Sequence, residues 1–189
     1  MRTFIAGILS KDLKDSCLAI QEEFKRLELN VKWIEPQNIH LTFKFLGEIP
    51  EDVVSKIKVA LQDLFKDEPA IRTAIHKLGV FPRLKSPRVL WVGLEDKEGR
   101  LRDYFLRIEG ALKNIGLAPE KRGFKPHITL GRFRSLKNIS GFIKKAESLE
   151  IKPLGGYITQ IVFFKSQLTP QGPIYTPLEE IILKIHHDK

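Results

Sequence analysis

The stretch NIHLTFKFLGEI, residues 38–49, has a counterpart nearly ninety positions on in KPHITLGRF, residues 125–133. Both write His, aliphatic, Thr, hydrophobic in that order. Successive side chains of a β-strand point to opposite faces, so His40 and Thr42 share one face while Leu41 and Phe43 share the other. His127 and Thr129 stand in the same relation to Ile128 and Leu130. Each copy therefore predicts a strand that buries an aliphatic face and shows an imidazole beside a hydroxyl.

Working outward, residues 3–9 and 31–34 read as strands, and residues 12–29 between them as a helix with Leu13, Cys17, Ile20, Phe24 and Leu27 on one face. Residues 51–66 form a second helical pattern through Val54, Ile57, Leu61 and Leu64 or Phe65. Strands over 70–81 and 88–94 flank the loop PRLKSP, and a third helix runs over about 97–115, ending before Gly116. After the second motif come a helix over 139–148 and two long strands, 156–168 and 174–185, around TPQGP. The tail from His186 is expected to fray. This order predicts an α+β fold: a single bilobal domain over residues 1–189, with pseudo-twofold symmetry. Two antiparallel-rich sheets would face a central groove, with helices on the outside. Likeness between the halves is confined to the two short motifs, so an internal duplication is compatible with the sequence but not demanded by it.

A chain of 189 residues with 42% hydrophobic and 29% charged side chains can bury a substantial core. No apolar run approaches the roughly 20 residues of a membrane span, and the opening segment lacks a secretory cleavage pattern, so a cytoplasmic protein without membrane partners is expected. The single cysteine, Cys17, has no partner for a disulfide and reads as a buried structural residue. A net charge of +9 favours polyanions, nucleic acid first, although the basic residues are spread along the chain. Abundant Lys and Glu with one Cys and one Met hint at a thermophilic source.

Histidine titrates near neutrality, so one imidazole can take a proton while another gives one. In-line displacement at phosphorus needs that pair on opposite sides, with hydroxyls donating to the non-bridging oxygens where negative charge accumulates. Metal binding is the rival use of histidine. No HxH, HExxH or carboxylate cluster accompanies either motif, so neither a metal nor another cofactor is expected. A serine or cysteine nucleophile lacks its usual setting too. By the residues alone, a catalytic pair and two structural histidines both remain open.

The motifs, with the flanks RTFIAGIL, FPRLKSPRVLWVGL and SQLTPQGPIYTPLEEI in order, resemble the 2H phosphoesterases, and among them the RNA 2′,3′-cyclic phosphodiesterases once called 2′-5′ RNA ligases. That resemblance implies metal-independent hydrolysis of a 2′,3′-cyclic phosphate at an RNA 3′ end to a 2′-phosphate, with reversible 2′-5′ ligation as a further activity. It implies His40 as the acid protonating the leaving 3′ oxygen and His127 as the base activating water. Thr42, Thr129 and Arg132 would hold phosphate, and Phe45 would line the nucleotide site. Partners would be nucleotides and RNA ends, tRNA fragments among them, and the protein is expected to be a monomer.

Strict alternation sets Arg132 and Phe45 on the face opposite their histidines, so irregularities near Gly131 and Gly47 are required. Lys44 falls on the histidine face and is expected in solvent or at a phosphate. Arg83, Lys85, Arg88, Arg122 and Lys125 are candidates for RNA backbone contacts. Phe81 and Phe124 are candidates for base stacking or for the core; Trp33 and Trp91 are expected to pack, and His76 to be structural or on the surface. A binding module without turnover, and a small cyclic phosphate or 2′-5′ linked oligonucleotide as substrate, are the competing readings.

Overall fold

The computed structural model describes residues 1–152 and 154–185. In chain order the elements are β1 (Arg2–Leu9), α1 (Lys11–Lys25), β2 (Val31–Trp33), β3 (Leu41–Glu48), α2 (Glu51–Phe65), β4 (Ile71–Arg83), β5 (Ser86–Leu94), α3 (Arg100–Asn114), β6 (His127–Phe133), α4 (Ile139–Ser148), β7 (Leu154–Thr169) and β8 (Gly172–Ile182). Every expected element is present. The boundaries differ where local chemistry intervenes. Pro36 opens a 3-10 turn through Asn38, so β3 begins at Leu41 and not at Asn38. PRLKSP shrinks to a tight turn at Leu84 and Lys85 because pairing continues to Arg83 and Ser86. α3 stops where Gly116, at φ +94°, turns left-handed, and the Leu117 amide caps back on the Leu112 carbonyl at 3.0 Å. The expectation about the tail from His186 lies outside the described residues.

The strands form two antiparallel layers, β3-β1-β7-β8 and β2-β6-β5-β4. They are also stitched together. β4 pairs β7 from Ile71–Ile158 to Ile75–Leu154, and β3 meets β6 at the single position Leu41–Ile128. The hydrogen bonding thus runs as a closed circuit through both lobes, a link the sequence pattern did not predict.

The pseudo-twofold can be read in the register. Exchange β1 with β5, β3 with β6 and β4 with β7, and the pairings of this six-strand circuit map onto themselves, whereas β2–β6 and β7–β8 have no counterparts. Gly7–Leu41 and Ala6–Thr42 correspond to Val92–Ile128 and Trp91–Thr129. Both pairings then carry an irregularity at the same place: Ile5 pairs with Lys44 and Leu90 with Gly131, leaving Phe43 and Leu130 as extra residues. Beyond the strands, the Ser10 amide reaches the Tyr157 carbonyl and the Glu95 amide the Ala74 carbonyl, each at 2.8 Å.

The helices cover one face. α1 brings Leu13, Cys17, Ile20 and Phe24 against β6 and β7, and α3 brings Leu101, Tyr104, Ile108 and Leu112 towards β3 and α2. Leu41, Phe43, Ile128 and Leu130 from the two motifs are buried in the same core. Each such side chain stabilises the fold by roughly 1.5–3 kcal/mol. Burial pushes the Cys17 thiol up to about 12, which keeps it inert. The opposite face of the motif strands, with their histidines, is left for chemistry.

Candidate active site

The single bridge Leu41–Ile128 lies between the two motifs. Antiparallel pairing there turns His40 towards Thr129 and Thr42 towards His127, so the four polar groups gather about the local twofold. Both imidazoles are fixed by the same device. The His40 Nδ1 lies 2.7 Å from the Asn38 carbonyl oxygen, and the His127 Nδ1 lies 2.7 Å from that of Lys125. A carbonyl only accepts, so Nδ1 carries the hydrogen in each ring and Nε2 is left as the working nitrogen.

The surroundings of the two rings differ. His40 is half-buried among Phe4, at 5.1 Å between ring centres, and Tyr175, edge-on at 5.6 Å. Burial lowers its pKa from 6.5 to about 4, against the opposing pull of the Asn38 carbonyl. With Nε2 unprotonated, the Thr42 hydroxyl donates to it across 3.0 Å. His127 instead meets Phe81 edge-on at 5.4 Å and Trp91 at 5.8 Å.

The irregularities at Phe43 and Leu130 have a direct consequence for the site. Each adds a residue to the motif strand and reverses the alternation beyond it. Phe45 returns to the histidine face, 63% exposed, with its ring 6.0 Å from that of Phe4. Arg132 returns likewise, exposed and close enough for its charge to act on the Tyr175 hydroxyl of the other lobe, which burial otherwise pushes up. A further irregularity, between Thr3 and Phe4, precedes Gly47, whose φ is +70°. The irregularity expected near Gly131 is therefore present, next to it at Leu130, whereas the one that turns Phe45 lies at Phe43, four positions before Gly47, and the one beside Gly47 follows Phe45.

Lys44 shows what the same reversal does to its neighbour. Expected on the histidine face, it is buried instead, its Nζ 2.7 Å from Glu109 and donating to the Ala118 carbonyl at 3.2 Å. Trp91 packs as expected and also reaches the site. It stacks on Phe81 at 4.9 Å, with the Lys77 ammonium 5.7 Å from its ring, and flanks His127. Phe81 itself is 36% exposed, whereas Phe124 belongs to the core, stacked between Phe105 at 4.6 Å and Phe43 at 5.7 Å. Trp33 packs against the core as expected, and His76 is exposed. Arg83, Lys85, Arg88, Arg122 and Lys125 are exposed as well.

Phe4, Phe164 and Tyr175 line the His40 side without having been anticipated. Phe4 was legible in principle, since β1 must pair with the motif strand. Tyr175 carries no local signal, because only the β7–β8 hairpin brings it there. Among the described residues no three of His, Cys, Asp or Glu converge as a metal site would require.

A family model described as LigT like Phosphoesterase matches this chain twice, over residues 8–91 and 92–175. The chain belongs to that family. The two matches meet within β5, at the boundary between the halves that the register relates by the pseudo-twofold. Similar proteins include the RNA 2′,3′-cyclic phosphodiesterase of Aquifex aeolicus, 32% identical over 97% of each chain. That of Methanothermobacter thermautotrophicus is 31% identical over 95% of this chain and 97% of the relative. Among solved structures, TT0787 of Thermus thermophilus matches with a TM-score of 0.79 at 24% identity, covering 99% of this chain and all of that one. E. coli LigT complexed with 3′-AMP matches at 0.74 and 22% identity, over 96% and 97%. These two likenesses carry the fold, and the bilobal α+β arrangement of this phosphoesterase family is the one expected from the motifs.

Proposed function

We propose that this protein opens 2′,3′-cyclic phosphates at RNA 3′ ends, leaving a 2′-phosphate, by two-histidine acid–base catalysis. The observation that carries the reading is the pair of twofold-related imidazoles, each held through Nδ1 by a backbone carbonyl so that Nε2 is the reactive nitrogen. The similarity to RNA 2′,3′-cyclic phosphodiesterases supplies the substrate class.

His127 Nε2 takes a proton from water as the water oxygen bonds to phosphorus. The bond from phosphorus to the 3′ oxygen breaks, and His40, protonated at Nε2, delivers its proton to that oxygen. Thr42 and Thr129 donate to the non-bridging oxygens, and Arg132 balances their charge. The imidazolium left on His127 returns its proton to solvent, and His40 is recharged.

Without substrate, burial keeps His40 neutral at pH 7. A phosphate anion against Nε2 favours its charged form, so substrate binding itself arms the acid. A ribose 5′ hydroxyl in place of water goes through the same steps: His127 takes its proton as its oxygen bonds to phosphorus, and the bond to the 3′ oxygen breaks with a proton from His40. A 2′-5′ linkage forms, whose cleavage to the cyclic phosphate is the reverse reaction. RNA ends, tRNA fragments among them, are the partners in this reading, consistent with 32 basic against 23 acidic side chains. It places a single bilobal unit, acting as a monomer, in the cytoplasm.

The test is hydrolysis of a short RNA with a cyclic phosphate end, in EDTA, from pH 5 to 9, by wild type, His40→Ala and His127→Ala. Turnover to a 2′-phosphate, lost in both variants, is expected. Binding without turnover would leave a binding module as the better account, and variants as active as wild type would remove the two histidines from the reaction.

A further inference from the structure

A cavity of about 390 Å³ lies between β3 beyond Thr42 and the segment that follows α3; Phe45, Leu46, Ala118, Glu120, Lys121 and Arg122 form much of its wall, and neither histidine belongs to it. Phe45 is the shared boundary, since its ring also faces the aromatic group around His40.

The cavity is built around a buried ion pair. Lys44 and Glu109, 5% and 13% exposed, stand 2.7 Å apart. Lys44 donates to the Ala118 carbonyl at 3.2 Å, and Glu109 accepts the Glu120 amide at 2.7 Å. One charge pair thus fixes the 117–122 wall at two points, Ala118 and Glu120. A buried pair of this kind costs desolvation and is retained where it holds a geometry. Glu120 turns its carboxylate back to accept the Arg122 amide at 3.1 Å. Lys121 and Arg122 are exposed, and among the described residues neither has a carboxylate within 4.0 Å.

We infer that this cavity is the subsite for the nucleotide upstream of the cyclic phosphate, with its base against Phe45 and its phosphodiester held by Lys121 and Arg122. The inference rests on the proposed reaction, in which His40 protonates the 3′ oxygen and the ribose therefore lies on the β3 side. From there the RNA chain leaves past Phe45 into the cavity. An exposed ring beside two cations is the arrangement that takes single-stranded nucleic acid, the ring by stacking and the cations by charge. A mononucleotide leaves the subsite empty. An RNA end fills it, so this wall selects polymer over a small cyclic phosphate.

The experiment compares kcat/KM on uridine 2′,3′-cyclic phosphate and on an RNA tetramer ending in the same group, for wild type and the variant Lys121→Gln with Arg122→Gln. The wild type is expected to favour the tetramer at least tenfold. The variant should lose about tenfold more on the tetramer than on the mononucleotide, and its salt slope on the tetramer should flatten by about 0.7 for each phosphate no longer neutralised. Equal loss on both substrates, or none on the tetramer, overturns the subsite. Wild type inactive on both overturns the reaction itself, a separate result.

Discussion

The strand that begins at Leu41 and the strand that begins at His127 are the same object up to a point and then part company. Through His, Thr, the carbonyl clamp on Nδ1 and the extra residue after Thr, the two copies agree in register as well as in sequence. Beyond it, Lys44 corresponds to Gly131 and Phe45 to Arg132. The shared portion does what a symmetric displacement at phosphorus needs, one proton-transfer group and one hydroxyl per side. The divergent portion distinguishes the sides, with an aromatic ring in one lobe and a cation in the other. In the proposed reaction the symmetric part moves the protons, and the divergent part gives one side a ring for the base and the other a charge for the phosphate.

The largest effect should come from the shared portion. His40→Asn and His127→Asn are each expected to lose roughly 10²–10⁴-fold in kcat on a cyclic phosphate end. If one variant keeps near-wild-type turnover, the two halves do not share the work.

Next come the divergent positions, which should fail differently. Arg132→Gln is expected to lower kcat by about a hundredfold, because its charge answers the one developing on phosphate. Phe45→Ala should instead raise KM about tenfold, in keeping with roughly 1–3 kcal/mol for a stacked base. Steady-state kinetics that show the same pattern for both would erase the distinction between the lobes.

Smaller effects, read as stability, follow at the next pair. Lys44→Met strands the Glu109 carboxylate and should cost about 3–5 kcal/mol of stability, with recovery when Glu109→Leu is added. Gly131→Ala places a Cβ 2.6 Å from Val31 Cγ1 and 3.0 Å from Trp33 Cε3, an overpacking worth about 1–3 kcal/mol. Urea unfolding of the three variants would rank them. Equal costs would mean that the buried pair is not held in the way its contacts indicate.

The smallest effect concerns protons alone. His40 should titrate at about 4 in the free protein, by NMR of the ring, and move upward when inorganic phosphate is added. Since the unfolded chain binds that proton near 6.5, the contribution to stability is complete above 6.5 and declines as pH falls towards 4. His40→Asn should remove that slope. A His40 that titrates at 6.5 in the free protein would contradict the effect of burial.

Much of this was legible before any coordinates. Alternation around His40 and His127 determined which residues would be buried and which would face chemistry, and Leu41, Phe43, Ile128 and Leu130 are buried accordingly. Helical periodicity placed Leu13, Cys17, Ile20 and Phe24 on the covered side of α1. The need for an irregularity before Arg132 and one before Phe45 also followed from the sequence, because on the motif strands neither could otherwise reach the histidine face; the second lies at Phe43 and not near Gly47. These are properties of a strand or helix considered alone, where a period of two or 3.6 residues decides the face.

Tertiary structure decided the rest. Which residue is the extra one depends on the partner strand, and placing it at Phe43 sent Lys44 into the core against Glu109, 65 positions away in the chain. The aromatic wall of Phe4 and Tyr175 about His40, the shelf of Phe81 and Trp91 beside His127, and the bridge that joins the two motifs are likewise contacts between distant segments. A local pattern specifies the faces of an element, whereas register between elements is settled by packing and hydrogen bonding across the whole circuit of strands. That is why the two histidines could be read from the sequence, and why the difference in their surroundings could not.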